Sequence, residues 1–360
     1  MTSPSSVPVP EPPKPGELFL AEIREQPEAL LRLIEYVAEF EVAGRELAKR
    51  APSVVRLIGH GSSDNAAVYG VYAFGLLSGL TTFRDSMSLT VYYEAPLDFS
   101  GSVIVALSQS GKTPDVVEYV RRARKGGALA IALTNDPGSE LGAAAEIALP
   151  LAAGPERAVA ATKTYLNQLA GLALLAGATA GQSVVGEQIR RVAELLAEAV
   201  EPLERAVARV TIPFAYVGRM FVIGRGLEFA TAREIALKLT ETCQIAAEPL
   251  TATALAHGPM AALDPLFPVW AIASPDETLP AVLDAARTVR KVGGTLVASG
   301  SAASQVAGAD YVLPVPEAPA SVLAPLLSVL PGQLFSAALA QAKGLDPDQP
   351  RGLSKVTLAP

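Results

Sequence analysis

The chain has one cysteine, Cys243, and two histidines, His60 and His257, among 360 residues. A single thiol excludes an internal disulfide and suits a reducing cytoplasm. One cysteine with two histidines cannot assemble a zinc cluster, so no metal site is expected, and no cofactor is called for. Runs rich in arginine or lysine are missing, and the net charge of −7 argues against nucleic acid as the main partner. Half of the residues are hydrophobic, yet no uncharged apolar run is read as reaching the length of a membrane span, and no membrane partner is expected. The polar, proline-rich N-terminus lacks the apolar core of a signal peptide. What remains is a chain long enough for two domains, each with its own core.

The most informative stretch runs from Val103 to Asp115. Val103-Ile104-Val105-Ala106-Leu107 reads as a buried parallel strand. Ser108-Gln109-Ser110-Gly111-Lys112-Thr113 follows as a polar turn, and Val116 to Ala123 reads as an amphipathic helix. The junction between a parallel strand's C-terminal end and a helix N-terminus is an anion site, because free backbone N–H groups and the positive end of the helix dipole converge there. Ser108, Ser110 and Thr113 add hydroxyls and Gln109 an amide. Gly111-Lys112-Thr113 mimics the tail of a Walker A loop, but that motif needs glycine where this chain has Ala106. A single phosphate monoester therefore fits better than a nucleotide. An ordinary strand-turn-helix junction with polar filler is the competing explanation.

Residues 1–16 are proline-rich and expected to be a disordered tail. A helical pattern starts at Glu17, with Leu18, Leu20, Ile23, Leu30, Leu31, Leu33 and Ile34 as apolar positions. Val54 to Ile58 reads as a strand, closed by Gly59-His60-Gly61-Ser62-Ser63 and a helix from Ala66 to Phe74. Parallel strands place such turns side by side along one sheet edge, so Ser63 joins Ser108 and Ser110 around one ligand. Further strands are expected at Leu129 to Leu133 and Ile147 to Pro150, a helix from Thr162 to Leu175, and a connecting helix from Val185 to Val207.

The pattern then repeats. Phe221-Val222-Ile223-Gly224-Arg225-Gly226, with a helix from Ala230 to Thr242, copies Arg56 to Gly61 and its helix at an offset of about 165 residues. Val269 to Ser274 copies Ile104 to Gln109 at the same offset, and Val292 to Val297 copies Lys125 to Ala130. Three matched landmarks in one order indicate a duplicated α/β domain, with strand-helix alternation implying doubly wound parallel sheets. The boundaries read as 17–207 for the first domain, 208–345 for the second and 346–360 for a C-terminal tail. The second copy has Ala273-Ser274-Pro275-Asp276 in place of the phosphate turn. One copy holds the phosphate and leaves the other free to supply chemistry.

The helix after Gly226 carries Glu234, Lys238 and Glu241, and the spacing i, i+4, i+7 puts all three on one face. A solvated Glu-to-Lys pair is the bland explanation. Against it, the helix follows a strand turn where clefts form, and its other surfaces are small or apolar, so the stripe is expected to face water or a ligand. His257, braced by Gly258-Pro259, sits on a turn from which an imidazole protrudes as acid or base. The polar tail from Asp346 to Lys355 either folds over a cleft or is an exposed end.

Taken together, these motifs resemble the sugar isomerase (SIS) domain family, and within it the isomerase half of glucosamine-6-phosphate synthase and its stand-alone relatives. The similarity runs from about Glu22 to Lys355. Its motifs, Ala106 to Thr113, Ala160-Ala161-Thr162-Lys163, Glu234 to Glu241, His257-Gly258-Pro259 and the tail, stand in the family's order. The resemblance implies two tandem SIS domains and phosphate contacts at Ser63, Ser108, Gln109, Ser110 and Thr113. It casts Glu241 as the base that moves a proton between C1 and C2 of an open-chain sugar, with Glu234 and Lys238 as neighbours. His257 matches the residue that opens the sugar ring, reaching in from the partner subunit of a homodimer, and Lys355 the lysine that forms an imine with a ketose. No glutaminase domain is expected before the first SIS domain, since Thr2 follows Met1 where the synthase has a cysteine nucleophile. Ala161 and Lys112 replace the synthase's usual serine and glutamate, and Gly154-Pro155-Glu156-Arg157 its Gly-Thr-Glu loop. That version looks more like the stand-alone deaminases.

The expected activity is conversion of an amino-sugar phosphate such as glucosamine 6-phosphate to a ketose phosphate and ammonia. A fructosamine-6-phosphate deglycase and an ammonia-dependent aminotransferase-type enzyme are the enzymatic alternatives. A non-catalytic sugar-phosphate sensor is the alternative of another class, although it has no need of Glu241, His257 and Lys355 together.

Overall fold

The computed structural model describes residues 14–355. Most of the expected disordered tail, residues 1–13, lies outside the described residues. Its last three are placed, with Gly16 N–H donating to Asp348 Oδ2 at 3.1 Å.

Three helices open the described chain: α1 (Glu17–Arg24), α2 (Gln26–Ile34) and α3 (Val37–Lys49). The first sheet is laid down by β1 (Val54–Ile58), α4 (Ser62–Ser78), β2 (Thr82–Arg84), α5 (Met87–Val91), β3 (Ser102–Ser108), α6 (Pro114–Lys125), β4 (Leu129–Thr134), α7 (Glu140–Ala144) and β5 (Ile147–Pro150). Two long helices, α8 (Lys163–Thr179) and α9 (Val184–Val210), lead to the second half. There β6 (Arg219–Gly224), α10 (Glu228–Cys243), β7 (Ala246–Thr251), β8 (Pro268–Ile272), α11 (Leu279–Lys291), β9 (Thr295–Gly300) and β10 (Tyr311–Pro314) precede α12 (Ala324–Ser328) and α13 (Leu330–Ala342).

Both sheets are parallel and five-stranded, in the orders β2-β1-β3-β4-β5 and β10-β9-β8-β6-β7. Read from the other edge, the second order repeats the first, and the offset of 165 survives in the register. Arg56, Leu57 and Ile58 pair with Ile104, Val105 and Ala106, while Phe221, Val222 and Ile223 pair with Val269, Trp270 and Ala271.

Alternation along the strands decides which face each helix covers. Val103, Val105 and Leu107 face the central core, whereas Ile104 and Ala106 face an outer core with Val116, Val120 and Tyr119 of α6. In the second sheet Val222, Trp270 and Val297 join that same central core, and Ile223, Val269 and Leu296 face an outer one under α11. The two sheets therefore share one continuous apolar interior, which clamps α4 of the first half against α10 of the second. All seven residues of β3 are buried, as a strand covered on both faces requires.

One sequence expectation is corrected here. The helical stretch Ser321–Ala342 is 22 residues long, with a mean hydropathy of 1.7, enough to cross a membrane by length and composition. In the structure 94% of its most apolar window is buried inside the protein. Leu326, Leu330 and Phe335 belong to the central core, which is what demands so apolar a stretch.

Candidate active site

A cavity of about 480 Å³ opens at the C-terminal ends of β1 and β3, where ligands bind in open parallel sheets. All five residues predicted to hold a phosphate line it: Ser63, Ser108, Gln109, Ser110 and Thr113. The turns leave hydroxyls free to donate, although of Ser108 Oγ and Thr113 Oγ1, 3.1 Å apart, one donates to the other. Ser108 Oγ accepts Gly111 N–H at 3.1 Å, Ser110 Oγ accepts Lys112 N–H at 3.3 Å, and Ser63 Oγ accepts Gln168 Nε2–H at 2.8 Å. A hydroxyl whose oxygen already accepts from the protein presents its O–H to whatever anion enters. Gly111 makes the turn possible. Its φ of +64° is left-handed, and a Cβ there would lie 1.9 Å from Ser139 Oγ. Pro114 then starts α6, with its free N–H groups toward the same end of the cavity.

From the second half, α10 delivers Glu241 to the cavity wall. The expectation that the whole stripe Glu234, Lys238, Glu241 faces water or a ligand is met only at its end. Glu234 and Lys238 are wholly buried, and Glu241 is 21% exposed. The buried pair is accommodated because α4 lies against it. Ser62 Oγ and Asn65 Nδ2 each donate to Glu234 at 2.8 Å, and Lys238 Nζ donates to Glu241 Oε2 at 2.6 Å and to Ser62 Oγ at 3.3 Å. Burial alone would lower the Lys238 ammonium, but Glu241 and Glu234 outweigh it and hold it above its ordinary value. Burial pushes the Glu234 carboxyl up, with Lys238 and Asn65 pulling it partly back. Lys238 thus stands behind Glu241 and anchors one of its carboxylate oxygens, with Glu234 paired to Lys238 in turn.

The tail does fold over the cleft. Asp348, 5% exposed, accepts the free N–H groups of Gly16, Leu18 and Phe19 at the start of α1, a favourable place for a carboxylate. Pinned there, the chain brings Leu353, Ser354 and Lys355 to the cavity. Lys355 Nζ donates to Glu156 Oε2 and Ala158 O, both at 2.7 Å. Glu156 also accepts Thr162 N–H, Thr164 N–H and Thr164 Oγ–H. Burial would raise its carboxyl, but Lys355 and these donors hold it below the ordinary value.

His257 does not reach this cavity within its own chain. It sits exposed between two short 3-10 turns, Ala254–Ala256 and Pro259–Ala262. Several residues that do line the cavity had no sequence signal. His60 and Asp115 stand at its wall, Ser88 and Tyr92 reach it from α5 and its end, and Val159 lies opposite. Ala161, from the Ala160-Ala161-Thr162-Lys163 motif, lines the cavity as well, whereas Glu156 stands behind the wall and meets it only through Lys355. A larger groove, about 640 Å³, runs between α1, α9 and α13 and contains none of the predicted residues. Arg24 and Glu204 there pair with each other.

The profile of the SIS domain matches residues 51–178 and 214–342, one match for each sheet. The chain belongs to the SIS domain family. Glutamine–fructose-6-phosphate aminotransferase (isomerizing) of Leifsonia xyli subsp. xyli is 33% identical over 360 residues, covering 94% of this SIS protein and 58% of the relative. The chain thus spans somewhat over half the length of the curated relatives it matches. Among solved structures, the C-terminal domain of glucosamine-fructose-6-phosphate aminotransferase from Francisella tularensis aligns with a TM-score of 0.83 at 29% identity, covering 92% of this chain and 98% of that one. A protein of Silicibacter pomeroyi DSS-3, provisionally assigned as a phosphosugar isomerase, gives 0.80 at 30% identity, covering 92% and 99%.

Proposed function

We propose that this SIS protein is an aldose-ketose isomerase-deaminase that converts glucosamine 6-phosphate, or a close analogue, to fructose 6-phosphate and ammonia. The observation that supports it most is the shared cavity. Hydroxyls of the first half and the Glu241 carboxylate of the second open into one space. The phosphate is held by Ser63, Ser108, Gln109, Ser110 and Thr113, and the open chain extends toward Glu241. Glu241 takes the C2 proton as the C2–H electron pair forms a C1–C2 double bond and the C1 carbonyl electrons move to O1, which takes up a proton, giving an enolamine. Return of the C2 proton to C1, with loss of one amino N–H proton, leaves a 2-imino sugar. Water adds at C2 and ammonia leaves, so one water is consumed for each ammonia formed. Lys238 is a positioning residue, since it bonds Glu241 and does not line the cavity, and Glu234 acts one step further back, on Lys238.

His257, exposed and outside its own cavity, is assigned to a second copy of the chain, where it opens the sugar ring. Lys355 at the cavity wall favours one further reading, a deglycase that forms an imine with a fructosamine 6-phosphate. An ammonia-release screen with both substrates separates them. On the main reading, glucosamine 6-phosphate yields ammonia and fructose 6-phosphate in equal amounts. Glu241→Gln then slows turnover by about 10²–10⁴-fold, the usual contribution of a positioned base. Ammonia release that survives this substitution would falsify the mechanism.

A further inference from the structure

The chemistry proposed above leaves one histidine–aspartate pair in the cavity unused. His60, in the turn after β1, meets Asp115 in the first turn of α6, with Nε2 2.5 Å from Oδ2. Both side chains line the cavity beside Ser63, Ser110 and Thr113. His60 is 54% exposed and Asp115 only 12%. The Asp115 carboxylate is fixed, because its Oδ1 accepts Val116 N–H at 3.1 Å.

A carboxylate facing an anion site opposes anion binding unless a cation compensates it. The ionisable groups of opposite and like sign that line this cavity are His60 and Lys355 against Asp115 and Glu241. Lys355 is engaged by Glu156 and Ala158, and Glu241 by Lys238. Tyr92, also on the wall, offers a phenol hydroxyl. The hydroxyl cradle itself contributes only uncharged donors. Among the described lining residues, His60 is therefore the basic side chain that the first half offers to the phosphate.

We propose that His60, oriented by Asp115, is a phosphate-recognition residue of this cavity. With Nε2 held against Asp115, the ring nitrogen left to donate to a phosphate oxygen in this role is Nδ1. Asp115 acts through His60 as a positioning residue. The inference rests on the phosphosugar reading of the cavity and assigns that reading a specificity determinant.

The test is calorimetric titration of the full chain with fructose 6-phosphate and with inorganic phosphate, for the wild type, His60→Gln, His60→Arg and Asp115→Asn. His60→Gln weakens both ligands by about tenfold or more, the worth of one hydrogen bond to a charged group. His60→Arg, which keeps a cationic donor, restores most of the affinity, and Asp115→Asn gives an intermediate loss. In turnover the fall in kcat/KM of His60→Gln arises chiefly in KM. His60 is half exposed, so the variant's melting temperature stays at the wild-type value and guards against misfolding as the cause. Wild-type affinity in His60→Gln would overturn the assignment while leaving the phosphosugar reading intact. A drop confined to kcat would also overturn it, in favour of proton transfer. If the wild type binds neither fructose 6-phosphate nor inorganic phosphate, the phosphosugar reading falls, and this inference with it.

Discussion

The two halves of the molecule solve the same problem in opposite ways. In the first, the glycine turn after β1 ends on Ser63, and the hydroxyls of two adjacent turns point into an open cavity. At the offset of 165, Ser63 corresponds to Glu228 at the start of α10. Its carboxylate is 2% exposed and accepts the hydroxyls of Ser274, Ser328 and Thr231. Hydroxyls converge on an anion in both places. In the first half the anion is to be a ligand; in the second it is part of the chain. Burial raises the Glu228 carboxyl and the three hydroxyls pull it back, as they would stabilise any negative oxygen placed there. The duplicated fold thus keeps one anion site open and closes the other with its own side chain, which leaves α10 free to carry Glu241 across to the open one.

The largest effect that tests this division is on rate. Glu241→Gln lowers turnover by the 10²–10⁴-fold given above, and it lowers the melting temperature as well because the buried Lys238 ammonium loses a charged partner. Next comes Glu228. Removing its carboxylate with Glu228→Ala strands three hydroxyls around a void and lowers stability by about 2–4 kcal/mol, read by denaturant titration. Glu228→Gln, which keeps an acceptor, costs much less. A weakly destabilised Glu228→Ala would erase the contrast between the halves.

A paired substitution sharpens the comparison. Ser108→Ala weakens fructose 6-phosphate by about tenfold through loss of one donor to the phosphate. Ser274→Ala, in the second half's matching turn where Ser274 stands for Gln109 and Ala273 for Ser108, leaves that affinity alone and instead lowers stability by about 1–2 kcal/mol. Equal binding losses in both variants would mean that the second half also meets the ligand.

The smallest effect concerns a buried acid of the first half. Glu22, 5% exposed, accepts the backbone N–H groups of Arg157 and Ala158, the segment that also receives Lys355. Burial pushes its carboxyl up to about 7, against the Arg157 N–H, which lowers it. A carboxyl raised on folding keeps its proton where the unfolded chain has released it. Its contribution to stability therefore falls as pH rises from about 4.5 to about 7 and is level on either side. Melting temperature against pH, compared between wild type and Glu22→Gln, shows a shallower decline in the variant across that window. Identical slopes would contradict the assignment.

Much of this was legible in the sequence, and the limits have physical reasons. The central strands β1, β3, β4 and β6 announce themselves as apolar runs because both faces are covered. The edge strands β2, β7 and β10 do not, being covered along only part of their length. The phosphate turns were legible because their chemistry lies within six consecutive residues. The environment of Glu234 and Lys238 was not, since Ser62 and Asn65, which satisfy them, lie about 170 residues away. The same holds for Glu156 and Lys355, separated by 199 positions, and for His60 and Asp115, separated by 55. A single charged residue shows its type in a sequence and not its partner.

The central claim is that one sugar phosphate spans from the hydroxyls of the first half to the carboxylate of the second. A crystal structure with fructose 6-phosphate bound tests it most directly. The account predicts one ligand per chain, its phosphate within hydrogen-bonding distance of Ser108, Ser110 and Thr113 and its C1–C2 bond against Glu241. A phosphate seated at Ser274, or a sugar whose C1 and C2 point away from Glu241, would contradict it.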